Sequence, residues 1–211
     1  MRNMPLSTFK KITGQLIVML CLFSAVSKAQ ITVNGTGSYA TITAAIAAAS
    51  AGDVIQVPAG IYNENPDINK SLKLRGAQWG NCALSRTGAE TVISCPNGIG
   101  VNASNVTIDG FTIQDQDGAN AALAPGFGFA VYMVPPNTGT QLLNNIIRNN
   151  TLGTGLSNAG SFPAQVNINC NWYDANNTPG PIFREAIYAD SDISGGSVSN
   201  VFINDNKFTN H

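Results

Sequence analysis

Charge is scarce in this chain. Lys, Arg, Asp and Glu make up only 11% of its 211 residues, and the balance is eleven basic groups against twelve acidic ones. Four of the basic groups, Arg2, Lys10, Lys11 and Lys28, fall within the first 29 residues, which hold no acidic group. Without that segment seven basic groups face twelve acidic ones, a formal charge of −5. No basic patch then remains, which argues against nucleic acid and against anionic membrane as partners. Long apolar runs are also missing. The one at residues 16–26 is about half of the ~20 residues that span a bilayer, so no membrane span is expected in the mature chain. Even pairing of cysteine is missing too: apart from Cys21 there are three, Cys82, Cys95 and Cys170.

What the start does contain is an export address. A basic beginning, the apolar run and the small-residue site Ser27-Lys28-Ala29 ahead of Gln30 read as a secretory signal peptide over residues 1–29. Cys21 follows Leu20 rather than a small residue, so the run does not match a lipid-attachment signal. About 180 residues remain over 30–211, enough for one domain that is secreted or held at the cell surface. Abundant Asn, Gly, Thr and Ser suit an extracellular β-rich surface. In that setting Cys82 and Cys95 can close a small loop worth ~3 kcal/mol, while Cys170, two residues after Ile168, reads as a small buried filler.

One short pattern returns four times: apolar, gap, apolar, two gaps, turn residue, gap, apolar. It reads Val106/Ile108/Phe111/Ile113, Thr140/Leu142/Asn145/Ile147, Val166/Ile168/Asn171/Tyr173 and Val201/Ile203/Asn206/Phe208. The starts lie 34, 26 and 35 residues apart, the spacing of a solenoid whose coils carry loops of unequal length. Period-2 alternation within each copy makes two short strands, and the residue between them turns the chain. Asparagine suits that corner because it tolerates left-handed backbone and its amide bonds to the coils above and below. Asn145, Asn171 and Asn206 are expected to stack as a ladder.

Ahead of the repeats, Ile31-Thr32-Val33 reads as a strand and Asn34-Gly35-Thr36-Gly37 as a turn. The only helical pattern covers residues 41–51, with Thr41 as N-cap and Ile42, Ala45, Ile46 and Ala49 on one face. Gly52 ends it. Strands and turns alternate from Asp53 onward, interrupted by loops at residues 78–89, 114–128 and 176–197. Such loops on a stiff scaffold commonly carry function.

Three stretches resemble the opening coils of secreted parallel β-helix proteins, the pectin-lyase-like superfamily. They are Gly52-Asp53-Val54-Ile55-Gln56-Val57-Pro58-Ala59-Gly60-Ile61-Tyr62, Ile68-Asn69-Lys70-Ser71-Leu72-Lys73-Leu74-Arg75-Gly76 and Asn105-Val106-Thr107-Ile108-Asp109-Gly110-Phe111-Thr112-Ile113. The similarity runs from about Ile31 to the end, and the helix resembles that family's N-terminal cap. The resemblance implies an all-β fold, a right-handed parallel β-helix of about six or seven coils with a capping α-helix. It does not imply one activity, since the scaffold serves lyases, hydrolases, esterases and adhesins.

Aligning the four copies places outward side chains in columns at the ~4.8 Å spacing of paired strands. One column reads Gln114, Arg148, Asp174, Thr209 and the other Thr112, Ile146, Trp172, Lys207. Together Gln114, Arg148, Trp172, Asp174 and Lys207 form a strip fitted to a sugar chain, the indole stacking on a pyranose and Arg148 pairing with a uronate. The alternative is an ordinary surface ion pair between Arg148 and Asp174, worth ~0 to 1 kcal/mol, beside an indole under a loop.

Catalysis finds less support. A glycosidase needs two facing carboxylates, and Asp174 has no partner in its column. The family's hydrolases carry paired aspartates and a histidine, whereas the single histidine here is His211. A calcium-dependent lyase needs clustered carboxylates and a base, for which Asp115 with Asp117, or Asp190 with Asp192, are candidate ligands. Solvated turn residues are the plainer reading of both pairs. Local motifs of the fold's esterases are absent. Arg86 and Glu90 are expected to pin the loop bearing Trp79.

The pattern runs to the final residues, so further coils or another chain are expected beyond His211 to cover an open end. The expected function is extracellular or cell-surface polysaccharide binding or adhesion, without a cofactor. The alternative is a uronate-acting lyase, with calcium, whose site is incomplete here.

Overall fold

A computed structural model describes residues 29–117, 128–134, 138–157, 163–179, 184–190 and 198–211. The features of the export signal up to Lys28, together with Asp192, lie outside the described residues. Strands β1 (Ile31–Val33) and β2 (Thr36–Tyr39) lead into helix α1 (Ile42–Ala48). A first coil follows, with β3 (Val54–Gln56), β4 (Gly60–Asn63) and β5 (Asp67–Ile68). The second has β6 (Lys73–Arg75), β7 (Thr91–Ser94) and β8 (Ile99–Val101), and the third β9 (Thr107–Asp109), β10 (Phe111–Gln114) and β11 (Phe129–Met133). Coil four holds β12 (Gln141–Leu143), β13 (Ile146–Arg148) and β14 (Leu152–Ser157); coil five holds β15 (Val166–Asn169), β16 (Trp172–Asp174) and β17 (Ile187–Asp190). Strands β18 (Val201–Asn204) and β19 (Lys207–Thr209) begin a sixth.

The first strand of every coil joins one sheet, the second strand another and the third strand a third. Every pairing between successive coils is parallel; only β1 runs antiparallel, to both β2 and β3. The chain is thus mostly β, built of stacked parallel strands around one apolar interior. Alternation decides which side chains enter it. Ile55, Leu74, Ile108, Leu142 and Ile168 stand in one inward column and Ile93, Ile113, Ile147 and Tyr173 in another, all fully buried. Val101, Val131 and Met133 meet them from the third sheet. Each such aliphatic side chain contributes roughly 1.5–3 kcal/mol of burial.

Helix α1 is shorter than the 41–51 expected. Thr41 is its N-cap, with its hydroxyl accepting from Ala44 N at 3.0 Å, but the chain turns extended at Ala49. Contacts from distant residues set these ends. The Glu64 carboxylate accepts from the amides of Ile42 and Thr43, each at 2.9 Å, filling the free donors of the first turn. Lys70 Nζ donates to Ala49 O at 2.9 Å, and Asp53 takes the Ser50 amide at 2.7 Å. Ile42, Ala45 and Ile46 are buried in the main core as the spacing predicts.

The corner between the first two sheets corrects one expectation. Left-handed backbone falls on the residue before each ladder position: Gly110, Asn144, Cys170 and Asp205 have φ of 79°, 56°, 56° and 52°. Phe111 follows the first of these; the ladder asparagines follow the other three and act through their side chains. Asn145 Oδ1 accepts from Phe111 N at 3.0 Å, Asn171 Oδ1 from Asn145 N at 2.8 Å and Asn206 Oδ1 from Asn171 N at 2.9 Å. In return their Nδ2 groups donate to Ile108, Leu142 and Ile168 carbonyls at 3.0, 2.8 and 2.8 Å. A second ladder, not foreseen, stands at the next corner, where Asn150 accepts from Gln116 N at 3.0 Å and donates to Asn176 Oδ1 at 2.9 Å.

The cysteine pairing also differs. Cys82 is bonded to Cys170, 88 residues away, with Cα atoms 5.1 Å apart, and Cys95 is a free buried thiol. The reason is the course of residues 77–90, which run as a strap along the first corner instead of curling back on coil two. Ala83 N reaches Cys170 O at 3.1 Å in coil five. Arg86 donates to Phe111 O at 2.9 Å in coil three and to Asn144 O in coil four. The expected Arg86–Glu90 pair is present, bidentate at 3.0 and 2.7 Å, with the Arg86 side chain only 1% exposed. At Gly110 a Cβ would collide with the Trp79 amide, so the strap's path requires glycine there.

Candidate functional site

The second sheet presents its outward side chains in two columns over six coils. Register gives Ile61, Val92, Thr112, Ile146, Trp172, Lys207 in one and Asn63, Ser94, Gln114, Arg148, Asp174, Thr209 in the other. Gln114, Arg148, Trp172, Asp174 and Lys207 are therefore brought together on one face. Thr112 is not accessible with them. It is 1% exposed, and its hydroxyl donates to Glu90 Oε2 at 3.1 Å under the strap.

The strip is internally bonded, though not by the pair the column suggested. Arg148 donates through Nε and Nη2 to Gln114 Oε1, both at 3.1 Å, and leaves Asp174 to other partners. Asp174 Oδ1 accepts from Thr209 Oγ1 at 2.7 Å and Asn210 Nδ2 at 2.8 Å. The Thr209 bond chiefly holds this carboxyl below its ordinary value; burial opposes it, and Asn210, His211 and Arg148 add smaller lowering effects. At neutral pH Asp174 is an acceptor of hydrogen bonds and not a proton donor.

Trp172 is half-buried. Its indole N–H donates to Thr209 Oγ1 at 2.7 Å, and Lys207 Nζ lies 4.4 Å from the ring centroid. That cation covers one ring face, a contact worth ~0.5–1 kcal/mol at an exposed site.

The carboxylates offered for a metal are differently arranged. Asp115, at φ 69°, accepts from Ser94 Oγ at 2.7 Å and Gln114 Nε2 at 2.9 Å, so it closes a corner. Asp117 is exposed. Asp190 belongs to β17, its backbone in register with Ser157. Among the described residues no group of three or more His, Cys, Asp or Glu side chains is placed to hold a metal ion.

Two features escaped the sequence reading. The second ladder had a signal, since Asn150 and Asn176 each follow a first-ladder asparagine by five residues. An aromatic set on the outside of the third sheet had none in the repeats. Phe129 stacks on Tyr132 with centroids 5.3 Å apart and lies 5.9 Å from Tyr188. Gly155 provides the space, because a Cβ there would enter the Phe129 ring.

Comparison with known protein families, with curated proteins and with solved structures finds no match to this chain.

Proposed function

We propose that this chain is an exported right-handed parallel β-helix of the pectin-lyase-like kind that binds extracellular or cell-surface polysaccharide along its second sheet. Right-handedness rests on the general rule for parallel crossovers, which nearly all turn that way. The observation that carries the binding reading is the register from β10 to β19. It lines up an amide, a guanidinium, a carboxylate, an indole and an ammonium on one straight face. Polar groups of fixed direction beside an aromatic plane are what a sugar chain requires, and Arg148 with Lys207 favours an acidic one. Because Gln114 holds Arg148 in place, part of the ordering cost is met before ligand arrives.

Affinity electrophoresis through gels containing polygalacturonate tests this. The wild-type chain is expected to be retarded, and Trp172→Ala or Arg148→Gln to lose that retardation with an unchanged melting temperature. Equal mobility of all three proteins would overturn the reading. The lyase alternative predicts instead that calcium and the same polymer yield unsaturated uronate absorbing in the ultraviolet.

A further inference from the structure

The first sheet's outward columns differ chemically from those of the second. They read Val54, Lys73, Thr107, Gln141, Asn167, Phe202 and Gln56, Arg75, Asp109, Leu143, Asn169, Asn204. Charge is confined to the early coils, where Lys73 is exposed while Arg75 and Asp109 are engaged. Arg75 lies 4.2 Å over the Trp79 ring, and Asp109 Oδ1 accepts from Asn144 Nδ2 at 2.8 Å and Gly80 N at 3.1 Å. From β12 to β18 these columns hold no ionisable side chain.

Their amides are fixed in direction. Asn167 Nδ2 donates to Gln141 Oε1 at 2.7 Å, and Gln141 Nε2 donates to the Gly139 and Gln165 carbonyls at 3.2 Å each. Gln165 Nε2 in turn donates to Asn167 Oδ1. An amide carries two donors and two acceptor sites, so these bonds use both donors of Gln141 but leave it an acceptor site, and leave Asn167 one donor and one acceptor site. One coil on from Asn167, Phe202 points outward and is 46% exposed. The run is thus a row of oriented neutral amides ending on an accessible phenyl ring.

We propose that this face, from Gln141 through Asn167 to Phe202, binds an uncharged polysaccharide lying along the stack of coils. The inference rests on the polysaccharide-binding reading and adds a second face with a different ligand class. Neutral hydroxyl pairs match planar amides, and the phenyl ring supplies a platform for a pyranose. The ~4.8 Å rise between coils is close to the length of one sugar in an extended chain, so successive coils meet successive sugars. An acidic polymer gains no cation here, which separates this face from the strip containing Arg148 and Lys207.

The test is affinity electrophoresis of the 211-residue chain in gels containing hydroxyethylcellulose, galactomannan or polygalacturonate. Retardation by a neutral polymer is expected, weakened roughly tenfold by Phe202→Ala and by Asn167→Ala. Thermal melting of each variant confirms that it is folded. The inference is overturned if neither neutral polymer retards the chain, or if Phe202→Ala and Asn167→Ala leave that retardation at its wild-type value. Retardation by polygalacturonate alone removes this inference and leaves the broader reading standing; no retardation in any gel removes both.

Discussion

Asn171 sits where three coils meet, and its side chain bonds the backbone of coil four and the side chain of Asn206 in coil six. It accepts the Asn145 amide and donates to Leu142 O, both away from water, and donates to the partly buried Asn206 Oδ1 at 3.0 Å. Replacing it with leucine removes these bonds together, leaving a buried amide and a buried carbonyl unpaired. Asn171→Leu is expected to lower stability by ~1 to 3 kcal/mol, read as a drop in the urea midpoint. Cys95 gives a second residue-scale expectation. Burial, with Asp115 adding to it, pushes its thiol up to about 12 against two opposing backbone hydrogen bonds. A folded value raised above the unfolded one of 9.0 means stability is fully present below that pH and falls as pH rises toward 12. Cys95→Ala should shrink this alkaline loss, and in the wild-type chain the thiol should resist alkylation at pH 8 until denaturant is added. The ladder positions were readable because a repeated asparagine at a constant offset is a local signal. The left-handed residue beside each was not, since Gly110, Asn144, Cys170 and Asp205 share no chemistry, only a backbone angle.

Among elements, the strap of residues 77–90 ties together coils that are distant in sequence. It holds coil five by the Cys82–Cys170 bond, coil four through Asn144 O and coil three through Phe111 O. Burial lowers the affinity of Arg86 for its proton while the Glu90 carboxylate opposes that, so the cation is kept by its partner. Removing Glu90 alone leaves a buried charge uncompensated, which is costly. The disulfide spans 88 residues, and chain entropy assigns such a loop about 4–5 kcal/mol. The double variant Cys82→Ser/Cys170→Ser is expected to melt well below the wild type, and a reductant should shift only the wild type. An equal shift in both proteins would count against the strap. Strands were legible from alternation, and helix α1 from its apolar face. The strap was not, because nothing local says that residue 82 travels three coils forward; the shorter Cys82–Cys95 loop looked favourable only while the path was unknown.

At the scale of the whole molecule, stacking turns separations of 26 to 35 residues into vertical contact. Two faces result, one with Arg148, Asp174 and Lys207 and one whose later coils are neutral. Salt should separate them. Raising sodium chloride from low ionic strength to about 0.5 M shortens the Debye length to a few ångströms, so retardation by polygalacturonate should fade while retardation by a neutral polymer persists. Equal loss of both would mean that one charged surface handles both polymers. In the last described coil the inward positions Ile203 and Phe208 are about half exposed, at 47% and 48%. They stand in the same columns as buried Ile168 and Tyr173, so their exposure reflects position in the stack and not a change of pattern.

The amino-acid order alone determined the strands, the inward columns, the first asparagine ladder and the rows of outward side chains, because a period of two and a repeated corner are properties of neighbouring residues. Only the tertiary structure decided which cysteines meet, where the helix stops, that Arg148 turns to Gln114, and that Thr112 lies under cover. Each of those depends on a partner brought close by the stacking of coils, and a linear pattern carries no record of which loop crosses which coil.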